Sequence, residues 1–79
     1  MIIDARLDVR SLGSEEFFIK LREILASKRG KIVSVEIFAE KLYDVKKIKT
    51  FVSMTGCQTA VEGSEGNYVI NVTGTPCCI

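Results

Sequence analysis

The residues of this chain best suited to nucleophilic or redox chemistry are its three thiols, Cys57, Cys77 and Cys78. There is no histidine, so the usual acid/base group near neutral pH and the commonest metal ligand are both missing. Any catalysis has to use cysteine, carboxylate, lysine or tyrosine. Cys77 and Cys78 follow Gly74 and Pro76, residues that interrupt a strand. They read either as reactive thiols on a tail or as an incidental exposed end. Adjacent cysteines do not readily close a disulfide on one another without backbone strain. Cys57 reads either as a small buried hydrophobe or as a resolving or redox partner of the tail. A zinc centre is not expected, because three cysteines without histidine fall short of a tetrahedral shell and Cys-Cys is not a chelating spacing. No cofactor is implied.

A second candidate region lies near the start of the chain, at Arg10, Ser14 and Glu15. Ser14 reads as the N-cap of a helix, its hydroxyl accepting from a backbone N–H one turn on. Glu15 and Glu16 then place negative charge on the positive end of the helix dipole. Phe17, Phe18, Leu21, Ile24 and Leu25 repeat at helical period as one apolar stripe. Unpaired N–H groups at such a strand-to-helix junction can receive a ligand. A serine with no histidine anywhere and no visible base is, however, a poor nucleophile. Ser14 thus reads as a cap or as a hydrogen-bonding group of a binding site.

The elements that must position these groups follow in order. Ile2–Leu7 reads as a strand, and the helix after Ser14 stops near Arg29, with Gly30 suited to a left-handed C′ position. Lys31–Phe38 alternates, with Val33, Val35 and Ile37 on one face, as a strand should. Ala39–Tyr43 reads as a loop or an early helical turn. Asp44 can cap a second helix whose stripe is Val45, Ile48, Phe51 and Val52, with Lys46, Lys47 and Lys49 off it and Gly56 ending it. Those lysines, with Lys41, read as a solvated face or as a docking surface for an acidic partner or an RNA backbone. Cys57–Glu62 and Asn67–Thr73 read as strands joined by a turn over Gly63–Gly66. The order is βαβαββ, an α+β arrangement. A right-handed crossover makes the first two strands parallel and puts both helices on one face of the sheet. If the last two strands pair antiparallel, Cys57 starts beside the end of the other near Thr73. Cys77 or Cys78 can then fold back toward Cys57, at the opposite end of the sheet from Ser14.

Size and charge narrow the class further. Seventy-nine residues form one domain, near the size where a single core is barely sufficient; residues 1–74 are expected to make it and 75–79 to be a cysteine-bearing tail. The 47% apolar share suits a globular core, and the net charge of +1 argues against nucleic acid as a direct ligand. No apolar run approaches the roughly 20 residues that span a bilayer, so no membrane association is expected. Met1–Arg6 lacks the charged and long apolar regions of a signal peptide. The expectation is a cytoplasmic protein with reduced thiols, in which the sequon Asn71-Val72-Thr73 is never glycosylated.

Over nearly its whole length the chain resembles the TusA/SirA/YedF family of small sulfur-carrier proteins. Leu7–Leu12 occupies the place of the family's Asp-Ala-Arg-Gly-Leu-like stretch. Val45–Phe51 is similar to its Ile-x-x-Phe helix, Thr55-Gly56 to the Gly before strand three, and Gly66–Ile70 to its Gly-x-Tyr-x-Ile final strand. The resemblance implies a two-layer α/β sandwich with strand order 1-2-4-3, the last strand antiparallel to the rest. It also implies a sulfur relay, in which a cysteine takes a persulfide sulfur from a desulfurase or other donor protein and passes it to an acceptor. The family's Cys-Pro-x-Pro motif is missing: Ser14 stands at the nucleophile and Glu15 and Phe17 at the two prolines. The resemblance then implies a persulfide carrier or an accessory protein of sulfur or selenium metabolism, in which the carrier role falls to Cys78 or Cys77 and the vacated position leaves Ser14, Arg10 and Glu15 as binding residues; the alternative is a protein-binding module without catalysis.

Overall fold

The computed structural model describes residues 3–77, the Ser14 side chain excepted. Seven elements follow one another: β1 (Ala5–Asp8), α1 (Val9–Leu12), α2 (Ser14–Ser27), β2 (Val33–Ala39), α3 (Leu42–Met54), β3 (Cys57–Ser64) and β4 (Asn67–Gly74). The strands form one sheet in the order β1-β2-β4-β3. β1 is parallel to β2, and β4 is antiparallel to both of its neighbours. This is the α+β sandwich expected, with the strand order and sense that the resemblance implies.

β2 organises the core. Its residues alternate between buried and half-buried along its full length, because side chains of a strand point to opposite faces in turn. Val33, Val35, Ile37 and Ala39 face inward, beside Leu7 of β1 and Ile70 and Val72 of β4. Phe17, Leu21 and Leu25 of α2 and Val45, Ile48 and Val52 of α3 belong to the same cluster, so both long helices cover one face. Each of these side chains contributes about 1.5–3 kcal/mol by leaving water. The other face is open and carries the row Arg6, Glu36, Asn71 and Ala60, with Arg6 Nε 3.2 Å from Glu36 Oε1.

Several local expectations need correcting. β1 is shorter than Ile2–Leu7, and the turn after it is one turn of helix capped by Asp8. Ser14 is therefore not the N-cap of α2: Gly13, at φ 79°, holds that position and Ser14 is the first helical residue. The cap moved because Asp8 offers its carboxylate to the Arg10 N–H at 2.9 Å, which starts a helical turn six residues early, and only a glycine can then kink the chain into α2. α3 likewise starts before Asp44: Lys41 is its N-cap, and Asp44 lies in its first turn, against the dipole. The β3–β4 turn is a two-residue loop at Glu65-Gly66, since Gly63 and Ser64 still pair with Tyr68 and Asn67. Among the described residues no helix is long and apolar enough to cross a membrane.

Candidate functional site

The sequence candidates divide between the two ends of the sheet. At the end where β1 and β2 finish, Asp8 grips Arg10 three times. Its Oδ1 accepts from the Arg10 N–H at 2.9 Å and from Nε at 3.0 Å, and its Oδ2 accepts from Nη2 at 3.1 Å. That fork holds the Asp8 carboxyl below the usual carboxylate range, chiefly through the guanidinium hydrogen bond and secondarily through the Arg10 N–H. Asp8, and more distantly Glu40, raise the Arg10 pKa in turn. Gly66 N–H donates to Glu40 O at 3.2 Å, which ties the β3–β4 hairpin to this end. Glu15 is exposed one residue into α2. Arg10 is thus already engaged by Asp8, with Glu40 a weaker charge partner, which lowers the attraction of this junction for a further anion.

The thiols lie at the opposite end. Cys57 opens β3 and is only 6% exposed, its Cα paired with that of Gly74. A Cβ at Gly74 would sit 3.2 Å from the Cys57 Cα, so glycine there lets the last strand close tightly on the cysteine. Beyond Gly74 the chain stays on the body of the protein through Cys77. Pro76 is fully buried, and its carbonyl accepts from Gly30 N–H at 3.1 Å. Cys77 N–H donates to Thr55 O at 2.9 Å, the carbonyl at the end of α3. A Cβ on Gly56 would meet Cys77 Sγ at 2.7 Å, so the sulfur lies directly over Gly56 Cα, next to Cys57 in the chain. Cys77 is exposed and Cys57 is a buried free thiol. Cys78, the other tail candidate, lies outside the described residues. The cysteine-bearing tail is thus anchored as far as Cys77, by two backbone hydrogen bonds and a buried proline. Among the described residues no three of His, Cys, Asp and Glu come together.

A third feature escaped the sequence reading. Between the outer surfaces of α2 and α3 runs a groove of about 460 Å³ lined by Phe18, Tyr43, Lys46, Lys47, Thr50, Phe51 and Met54. Glu15, Ile19 and Lys47 continue it along α2. Phe18 and Phe51 meet edge to face with ring centroids 5.6 Å apart and make its floor. Lys47 Nζ lies 4.9 Å from the centre of the Tyr43 ring. Phe18 and Phe51 belong by period to the apolar stripes of α2 and α3; the signal for the groove is the set of apolar residues outside those stripes, Ile19, Tyr43 and Met54. Comparison with known protein families, with curated proteins and with solved structures gives no match to the chain.

Proposed function

We propose that this protein is a divergent sulfur carrier of the TusA-like kind, working in the cytoplasm with a desulfurase as donor and a second protein as acceptor. The observation that carries the reading is the exposed Cys77 thiol, presented at one end of a β1-β2-β4-β3 sandwich. The surface position lets a partner's persulfide approach, and the hydrogen bond from Cys77 N–H to Thr55 O fixes the backbone that presents the sulfur. In the transfer, the Cys77 or Cys78 thiolate attacks the outer sulfur of the donor persulfide. The donor S–S bond breaks, its thiolate leaves, and the carrier holds a persulfide. The reverse exchange with an acceptor thiolate unloads it. The test is intact mass after incubation with a cysteine desulfurase and cysteine. A gain of one sulfur atom that disappears in the Cys77→Ser/Cys78→Ser double variant is expected; no sulfur adduct on the unaltered chain overturns the proposal.

A second reading is favoured by Ser14 at the family's nucleophile position: a protein-binding module that keeps the fold without the chemistry. The double serine variant separates the two, since it abolishes sulfur loading and leaves partner binding by a module intact. Truncation after Gly74 is a poorer choice, because it removes the buried Pro76.

A further inference from the structure

The geometry points to the groove between α2 and α3 as a docking site for an acidic amphipathic helix of a partner protein. This goes beyond the sulfur-carrier reading and does not depend on any thiol.

Three observations carry it. Of the large hydrophobic side chains left exposed, Ile19 (59%), Tyr43 (67%) and Met54 (69%) line this one groove, and a clustered apolar surface on a small protein marks an interaction site. The groove also has the right form. Tyr43 to Met54 extends about 16 Å along α3, three turns, and the aromatic floor of Phe18 and Phe51 lies recessed between two helices. A third helix fits such a bed with apolar side chains at i, i+4 and i+7, and Met54 supplies an adaptable wall.

Charge decides the occupant. Lys41, Lys46, Lys47 and Lys49 against the single Asp44 give Lys41–Met54 a formal charge of +3, so the rest of the chain, in a total of +1, carries −2. Two of these cations, Lys46 and Lys47, stand in the lining of the apolar bed, against one carboxylate, Glu15, where the groove continues along α2. A helix with carboxylates flanking its apolar stripe pairs with them. A second copy of this chain, laid groove to groove, would instead set two basic α3 helices against each other. A lipid surface or a nucleic acid strand would take a broader field of cations than the two lysines, Lys46 and Lys47, that line this site.

The probe is a fluorescent synthetic helix of about 18 residues, with leucine at i, i+4, i+7 and i+11 and glutamate flanking them, titrated with the full chain by anisotropy; a twin carries lysine for every glutamate. The acidic helix is expected to bind with Kd below about 100 µM and about tenfold or more tighter than its twin. That affinity should fall about tenfold in Lys46→Glu/Lys47→Glu and in Tyr43→Ala/Met54→Ala, whose side chains are exposed and whose loss leaves the core whole. Equal affinity for the two helices, no binding up to about 1 mM, or unchanged affinity in both variants overturns the proposal. So does tighter binding to phosphatidylserine vesicles or to a single-stranded RNA oligonucleotide, or a dimer that is lost in the Tyr43→Ala/Met54→Ala variant. A failure here leaves the desulfurase experiment untouched, because that experiment reads a sulfur adduct rather than a groove.

Discussion

Asp8 shows how much one carboxylate can set locally. It caps α1 and holds Arg10 in the same geometry, so Asp8→Ala should cost about 1 kcal/mol in urea unfolding. Asp8→Asn, which keeps an acceptor oxygen and gives up the charge, should cost less. The carboxyl is held below its ordinary range in the folded protein, so it favours the folded state above its unfolded pKa. That contribution is lost as pH falls through the lower folded value, and acid titration of stability should show a step in the native chain that Asp8→Asn lacks. At the other end, Gly56 sits at φ 88° with Cys77 Sγ over its Cα. Gly56→Ala faces both the conformational penalty and the sulfur. It should destabilise by at least about 1 kcal/mol and speed alkylation of Cys77, read by timed iodoacetamide labelling with peptide mapping. An unchanged labelling rate would show that Gly56 does not seat the thiol.

The elements differ in what they owe to sequence pattern. α2 is held by Phe17, Leu21 and Leu25, each with no exposed surface. Phe17→Ala should therefore cost about 3–5 kcal/mol, enough to unfold most of a domain this small, whereas Ile19→Ala, two residues on and exposed, should stay within about 0.5 kcal/mol. Urea midpoints of the two variants compare them directly. α3 is weaker at its start, where Lys41 supplies no side-chain cap and Asp44 compensates through the helix dipole. β3 takes cover from α3 on only part of its inner face, which leaves Val61 38% exposed at the sheet's edge.

In the whole molecule, the sheet separates the two candidate regions. From Tyr68, beside Ala39, to Gly74, beside Val33, β4 runs six steps, or about 20 Å. The Asp8–Arg10 fork and the Cys57–Cys77 end lie at opposite ends of that span. They share no hydrogen-bonded chain among the described contacts, so Arg10→Ala should leave the Cys77 alkylation rate within about twofold of the native chain. The family resemblance placed chemistry at the first end and the thiols lie at the second. The proposed sulfur transfer uses the pole of the fold opposite Ser14.

Element order, the buried face of β2, the stripe of α2 and the antiparallel β3–β4 hairpin were legible in the residues alone. Alternating and 3.6-residue periods are short-range signals, and Val33, Val35, Ile37, Phe17, Leu21 and Leu25 display them without competition. The position of the thiols opposite Ser14 also followed from strand direction. Caps were less legible: Ser14 and Asp44 are good capping residues, but Gly13 and Lys41 hold those positions, because a cap depends on where the preceding turn ends. Only tertiary structure decided that Pro76 is buried and Cys77 seated over Gly56, since those contacts join residues 46 apart (Gly30 with Pro76) and 21 apart (Gly56 with Cys77). It also decided that Phe18 and Phe51, each inside an apolar stripe of its own helix, meet as the floor of an open groove. Periodicity says which side of a helix is apolar; the spacing between two helices determines whether that side is sealed or left open to a partner.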